Sequence, residues 1–514
     1  MAELLKIDSN ITGLRLAEEA SLGVLPGSPV WVPYEPNSYS DFGGNPTTTP
    51  RNPINAGRQR KKGPVTDLEA KGGWENDLTQ TNLQSLLQAV FFADMRRKSE
   101  FGDGSGVITA VAAADDSFAG TSINTNYAAG DLLFASGFTN AANNGLKTVA
   151  SVSAGKVLVS EALTEEASPP AAAKITTVGF QGAVGDIDVA ASGAYPTLTS
   201  TTLDFTTLGL IPGEWIYVGG DAAGTKFTTA ANNGFARVRA VAANVLTLDK
   251  TQLTMVTEAN TTATIQLFFG RVLKNEVGSL IKRRSYHAER TLGAPDDSAP
   301  TDIQAEYVKG WIPGEFTLKI PSAGKVMCDI SGMGTDVEHV DAATGVKAGT
   351  RPALVEADAF NTSSDFSRIK MAIHSTTSSV PTALFAFVEE LNLTINNNLS
   401  GNKAVGVLGN FEVTAGTFEI SGDVTAYFAN VAALAAVRAN SDVTLDVHMV
   451  RDNAGISLDM PLFTLGNGRP DVVQDQAIKL PLNMDAATAA LIDPNLDYTL
   501  LMMFWDYLPS AAAA

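Results

Sequence analysis

Four histidines (His287, His339, His374 and His448) and one cysteine (Cys328) are the only imidazole and thiol groups in a chain of 514 residues. None of the histidines lies in an HExxH motif or at metal-binding spacing from the cysteine, so zinc chemistry is not expected. Cys328 falls in the alternating run Val326, Cys328, Ile330 and reads as a small buried hydrophobe. As a lone cysteine it can form no intrachain disulfide. The run GDGSG from Gly102 lacks the register of a serine-hydrolase GxSxG, and no phosphate loop ending in GK[ST] follows any strand. Asp186 with Asp188, and Asp296 with Asp297, offer carboxylates to a calcium ion, but solvated loop carboxylates account for them better. No catalytic, cofactor-binding or metal site can be assembled, and the expectation is a structural protein, not an enzyme.

Charge points the same way. The formal net charge is −19 and the pI about 4.7, whereas gripping nucleic acid requires Lys and Arg to displace counterions from phosphate. Such a chain does not bind DNA, although a negative surface suits a wall along which DNA slides. The exception is the cluster Arg58, Arg60, Lys61 and Lys62, which offers cations to nucleic acid or, better in so acidic a chain, to an acidic neighbour, with a merely solvated loop as good an account. The opening MAELLKIDSN lacks the basic and apolar regions of a secretory signal, and no run approaches the roughly 20 apolar residues of a membrane span. Synthesis and retention in the cytosol are expected.

The elements that would carry these residues are mostly strands. Gly 45 and Pro 23, with abundant Thr, Val and Ala, favour short strands and many turns, and at about 150 residues per unit the length implies three or four folded units. One internal repeat is clear: AANNG occurs at 141 and 230, an offset of 89, and GDLLFASG from Gly130 matches GEWIYVGG from Gly213, an offset of 83. Two small β-modules follow, at 101–182 and 183–270, with Asn-Gly read as a turn at positive φ. Their low charge makes them look like spacers or outward decorations.

The remaining chain divides into two halves of one plan, 1–100 with 271–385 and then 386–514. The first half reads strand (Asn37 to Phe42), long loop, strand (Val65 to Leu78), then a helix with Leu83, Leu86, Leu87 and Val90 on one face. The second reads strand and strand from Glu390, then a helix with Val431, Leu434 and Val437; further strand pairs follow each helix. In EFTLKIP, ELNLTIN and DVTLDVHMV apolar and polar residues alternate, which predicts sheets packed on one side and wet on the other. That alternation puts Glu69, Glu390, Glu419 and Asp446 on polar faces. In FEVTAGTFEISGDV the apolar phase slips around Ala415-Gly416-Thr417, read as a bulge or as an interrupted strand.

Three phrases in order, EEASLGVLPGSPVWVP, SYHAERTL…YVKGWIPGEFTLKIPSAGKVMCDISGMG and INNNLSGNKAVGVLGNFEVTAGTFEISGDVTAYF, resemble the major tail tube proteins of long-tailed siphophages. The resemblance covers most of the chain outside 101–270. It implies a β-sandwich or barrel with a flanking helix whose inner strands join neighbours in a ring, rings that stack into a tube, and no cofactor. It implies a virion protein, assembled in the bacterial cytoplasm, that meets tape measure and tail terminator or tip proteins and lets DNA pass. Two such halves resemble the variant with three chains per ring and pseudo-sixfold symmetry; six chains is the alternative. Glu69, Glu390, Glu419 and Asp446 become candidates to face the lumen. The segments Met1 to about Val32 and Thr47 to Lys62, with Arg58, Arg60, Lys61 and Lys62, become candidates for ring-to-ring contact. A different virion or surface β-assembly, such as a decoration or adhesin protein, is the competing reading.

Overall fold

Two large antiparallel sheets, of seventeen and thirteen strands, carry most of the chain, as a mainly β composition requires. The computed structural model describes residues 7, 9–54, 56–294, 303–341 and 344–513.

The larger sheet is built from two units with the same element order. In the first, β1 (Pro36–Tyr39) and β2 (Gly43–Thr48) pair in succession with β3 (Val65–Asp77), and helix α1 (Gln84–Val90) follows. Strands β4 (Tyr286–Gly293), β5 (Gln304–Ile320) and β6 (Met327–Met333) complete it. The second unit runs β7 (Val388–Asn396), β8 (Glu419–Tyr427), α2 (Ala432–Arg438), β9 (Val443–Arg451), β10 (Ala454–Asn467) and β11 (Lys479–Ala486), and a last strand, β12 (Leu501–Trp505), pairs with β10.

A shared irregularity aligns the two units. The β1–β3 ladder slips between Pro36 and Ser38, opposite Asn76 and Glu75; the β7–β8 ladder slips between Val388 and Glu390, opposite Ala426 and Thr425. A shift of 350 residues superposes Asn76 on Ala426 and Glu75 on Thr425, and also carries Gly72 to Gly422 and Glu69 to Glu419. Bulges break a ladder at a specific place, so their coincidence marks the same position in both units.

Across the shared sheet the order is β2/β1, β3, β6, β5, β7, β8, β11, β10. The two units meet at β5 and β7 in six consecutive antiparallel pairs, from Glu315 opposite Asn396 to Ile320 opposite Leu391. Phe316, Leu318 and Ile320 of β5 and Leu391, Leu393 and Ile395 of β7 all point into one core. In α1, Leu86, Leu87 and Val90 are buried as their spacing predicts. In α2 the contact face is centred on Ala433 and Ala436, and Val431 is exposed, because the small alanines let the helix approach β10 closely. The phase slip near Ala415 is a break between two strands: Glu412–Thr414 pairs with Ser400–Asn402, and β8 begins afresh at Glu419.

The segment between α1 and β4 forms the thirteen-stranded sheet. One apolar core lies within 101–175 and a second within 187–269, yet the strand Lys174–Gln181 pairs with Asp131–Ser136 and with Gln266–Phe268 and so joins them. The repeated AANNG is a turn between paired strands, as Asn-Gly suggests, and its asparagines add a hydrogen-bonded knot. Its first asparagine is buried, donating to Glu166 (Asn143, 2.9 Å) or Glu258 (Asn232, 2.7 Å) and accepting the N–H of Thr164 or Val256 at 2.8 Å. The second, Asn144 or Asn233, accepts the N–H of Phe138 or Phe227 at 3.0 Å. Only the glycines, Gly145 and Gly234, take positive φ, at 91° and 123°. Burial would raise the carboxyls of Glu166 and Glu258, but the converging donors hold both below the usual range.

Contrary to its expected role as an outward, separable decoration, this insert is packed into the second unit. Trp215, Tyr217, Phe235 and Phe268 share a core with Val450, Tyr498, Met503 and Trp505. Both faces of β9 are therefore buried, and the wet face that alternation predicts for DVTLDVHMV is absent. A charged network crosses the seam. Arg237, 1% exposed, donates to Asp249 at 2.9 and 2.8 Å and to Asp459 at 3.2 and 3.0 Å, and Tyr498 donates to Asp459 at 2.8 Å. Lys250 donates to Asp446 at 2.9 Å and to Thr444 at 2.6 Å, while Arg368 closes on Asp446 from the other side. Buried charges of this kind are costly when one partner is lost, about 3–5 kcal/mol. Arg237→Ala is therefore expected to destabilise the seam by about that amount, read as a lower denaturant midpoint of tryptophan fluorescence from Trp215 and Trp505. Joining Phe101 directly to Arg271 is expected to give aggregating protein, because the cut exposes Trp505 and strands Asp446 and Asp459 without their insert partners; a soluble, folded product in sedimentation would refute this packing.

Candidate functional site

The surface with the most consistent chemistry is the solvent side of the eight-position sheet. Pleating puts alternate residues on it, and the cross-strand registers bring them into rows. Thr317 lies between Asp329 and Thr394, and Asn392 stands opposite Asp423, which stands opposite Asn483. This side carries ten carboxylates on its paired strands (Asp67, Glu69, Glu75, Asp77, Glu315, Asp329, Glu390, Glu419, Asp423, Asp485) against Lys71, Lys319 and Lys479, a net charge of −7. The lysines are tied down: Lys71 to Glu69 at 2.8 Å, Lys319 to Asp329 at 2.5 Å and to Glu75 at 3.4 Å, Lys479 to Glu389 at 2.7 Å. The residual field is negative along the whole sheet. Glu69 and Glu419 occupy equivalent places in the two units and both are exposed, as is Glu390.

Asp446 does not belong to this surface. It is 1% exposed beneath the insert; burial alone would raise its carboxyl, but Lys250 and Arg368 hold it far below the usual carboxylate range. Strand alternation correctly gives it the face opposite Val447 and misses that the insert covers that face. Beside it, His448 is fully buried, stacked on Phe235 at 4.1 Å and edge-on to Trp215 at 4.6 Å, with Nδ1 against the Ser457 hydroxyl at 2.7 Å. Burial pushes its pKa down to about 3 against the attraction of Asp446, with Arg368 and Lys250 adding to the fall.

The remaining candidates are accounted for locally. Cys328 is buried in the first unit's core, where burial pushes its thiol up. Asp186 is an internal acceptor for Ser200, Thr201 and Thr202, and Asp188 accepts the N–H of Asn260 at 2.7 Å. Asp296 and Asp297 lie outside the described residues. His287 meets Glu19 at 2.6 Å, and His339 meets Glu306 at 3.3 Å. Among the described residues, no three His, Cys, Asp or Glu side chains group as a metal would require.

Arg58, Arg60, Lys61 and Lys62 are exposed on the long loop joining β2 to β3, which folds back on itself through a bridge between Arg51 and Lys61. Ile54 at its end is fully exposed. The N-terminal arm is less free than the resemblance implies. Gly13–Glu18 pairs with β4 and with Val32–Tyr34, and Leu14, Leu16 and Trp31 are buried, so from Gly13 onward much of the arm packs on its own chain.

The chain is mainly β, and its two strand-helix-strand units share one sheet with an acidic side. Residues 9–486 match the family described as phage tail tube protein, and the chain belongs to that family, which makes it a structural component of the phage tail. No curated protein matches it individually.

His448 gives the seam a pH dependence with a defined sign. The unfolded chain binds a proton near the ordinary histidine pKa of 6.5, whereas the folded chain refuses it until about 3. The contribution is present above pH 6.5 and is lost as pH falls toward 3, at up to about 1.4 kcal/mol per pH unit. His374, also held down by burial, acts in the same direction. Between pH 6.5 and 5, His448→Gln is expected to flatten most of the fall in the tryptophan-monitored midpoint; an unchanged slope would place the acid sensitivity elsewhere.

Proposed function

We propose that three copies of this chain close into a ring of pseudo-sixfold symmetry, that rings stack into the tail tube, and that DNA passes through the channel into the host cell. The observation that carries this reading is the duplication: one chain supplies two equivalent units already joined edge to edge through β5 and β7. A sheet left with free edges is prone to further pairing, and symmetric closure removes those edges.

In this reading the acidic side of the sheet lines the channel, with Glu69, Glu390 and Glu419 facing the lumen. A net negative wall keeps phosphates from adsorbing, and with a Debye length of about 8 Å at physiological salt it acts only on phosphates passing close by. The basic loop with Arg58, Arg60, Lys61 and Lys62, exposed and set beyond the edge of the sheet, is suited to contact the next ring, where it meets an acidic chain. The tape measure protein would occupy the channel before DNA does, and tail terminator and tip proteins would cap the tube; assembly would take place in the host cytoplasm.

Two measurements test this. Native mass spectrometry of isolated rings is expected to give three chains, and six would remove the role assigned to the duplication. Particles carrying Glu69→Lys, Glu390→Lys and Glu419→Lys together are expected to assemble but eject DNA several-fold more slowly at low salt, with the difference shrinking as salt rises. Equal ejection at every ionic strength would leave this face without a part in transit.

A further inference from the structure

The in-chain joint specifies where the joint between chains lies. Resting on the ring reading above, we propose that the free edge of β10 at Gly466–Asn467 pairs antiparallel with β2 of a second copy, Gly466 opposite Asn45 and Asn467 opposite Gly44.

The register follows from the duplication. In the first unit β5 is used on both sides over its second half: β6 lies along one side and β7 along the other. In the second unit β10 is the equivalent of β5, and β11 lies along one side of its last residues, Phe463 to Asn467. On the other side, β9 reaches only as far as Phe463, and from Thr464 to Asn467 that side has no strand partner among the described residues; β12, over Gly455–Asp459, lies on the side of β11. At the opposite end of the sheet, β1 and β2 pair with β3 alone. Among the described residues, the eight-position sheet thus ends in these two open edges, and β5–β7 is the completed version of the same contact.

Individual residues map through their ladder partners. Gly332 pairs with Gly72, and Met484 with Gly422, so β6 and β11 are related by 152 residues. Glu315 opposite Ser331 then corresponds to Gly466 opposite Asn483, and Phe316 opposite Ile330 to Asn467 opposite Leu482. On the other partner, Asn396 opposite Glu419 corresponds to Asn45 opposite Glu69, and Ile395 opposite Ile420 to Gly44 opposite Ala70. Substituting these into the observed pairs Glu315–Asn396 and Phe316–Ile395 yields Gly466–Asn45 and Asn467–Gly44.

The two joints differ in strength for a reason written in the sequence. In β5 the strand continues beyond this point through Leu318 and Ile320, both buried against β7. In β10 the chain already turns at Asn467, φ 63°, and Gly468, φ 80°, and in the matching stretch Gly468-Arg469-Pro470 the proline has no N–H to give a partner. The edge is therefore short and guarded, which keeps isolated chains from pairing indiscriminately and leaves closure to the full set of contacts in a ring.

A double variant, Gly466→Cys with Asn45→Cys, tests the register. A Cβ at Gly466 meets only Asn483, at 3.7 Å or beyond, Asn45 is exposed, and the native Cys328 is buried out of reach. Oxidised rings are expected to run as covalent trimers on non-reducing gels, with most of the chain in that band. Thr464→Cys with Asn45→Cys, two residues out of register on the same face, is expected to stay monomeric on the same gel. Rings seen by electron microscopy in which the first pair stays unlinked, or the second links instead, overturn the joint while leaving the ring reading intact; wild-type protein that forms no rings overturns both. If the double variant fails to assemble, Asn45→Cys carrying a benzophenone maleimide is assembled and irradiated. A cross-link to the peptide around Gly466 supports the joint, and a cross-link elsewhere overturns it.

Discussion

The whole arrangement depends on one contact, the pairing of β5 with β7. It turns two small sheets, each with exposed edges, into a single sheet of eight strand positions with an apolar side and an acidic side. Edge strands are ordinarily a hazard because their N–H and C=O groups template further pairing. Here one such edge is satisfied inside the chain by its own second unit, and among the described residues the eight-position sheet is left with an open edge at each end. The pleat then determines the chemistry, because a residue that packs into the core obliges its neighbours to face solvent. The row of carboxylates running from Glu69 to Asp485 is a consequence of that alternation.

The insert breaks the symmetry of the two units. It leaves the chain between α1 and β4 of the first unit, yet it packs on β9, β10 and β12 of the second. A buried network of Arg237, Lys250, Arg368, Asp249, Asp446 and Asp459 is weak evidence for net stability, since desolvation offsets much of the attraction. Its value lies in specificity: any other docking of the insert would leave several charges buried without partners. The insert therefore fastens the first unit to the second from outside the shared sheet, a second tie besides β5–β7.

Much of this was legible in the sequence, and the failures have physical causes. The mainly β character and both helices followed from composition and apolar periodicity, and Glu69, Glu390 and Glu419 lie on a solvent face because local alternation decides that face. Asp446 and the strand around it were misplaced because alternation reports which side of a strand is polar, not whether another segment 200 residues away covers it. The signal that could have found the seam was Arg237 and Lys250 standing among apolar residues of GFARVRAVAANVLTLDK, cations in a strand otherwise ready for burial. AANNG was recognised as a repeat and as a turn, but the buried bonding of its asparagines was not legible, because their partners, Glu166 and Glu258, lie more than 20 residues downstream.

The central claim is that one chain contributes two successive arcs of a closed inner wall, and a three-dimensional reconstruction of assembled tubes tests it most directly. The account predicts an inner barrel of twenty-four strand positions in each ring, eight from each of three chains, with Glu69 and Glu419 alternating around the lumen and the insert outside. Six chains per ring, a wall interrupted between β5 and β7, or an insert lining the channel would contradict it.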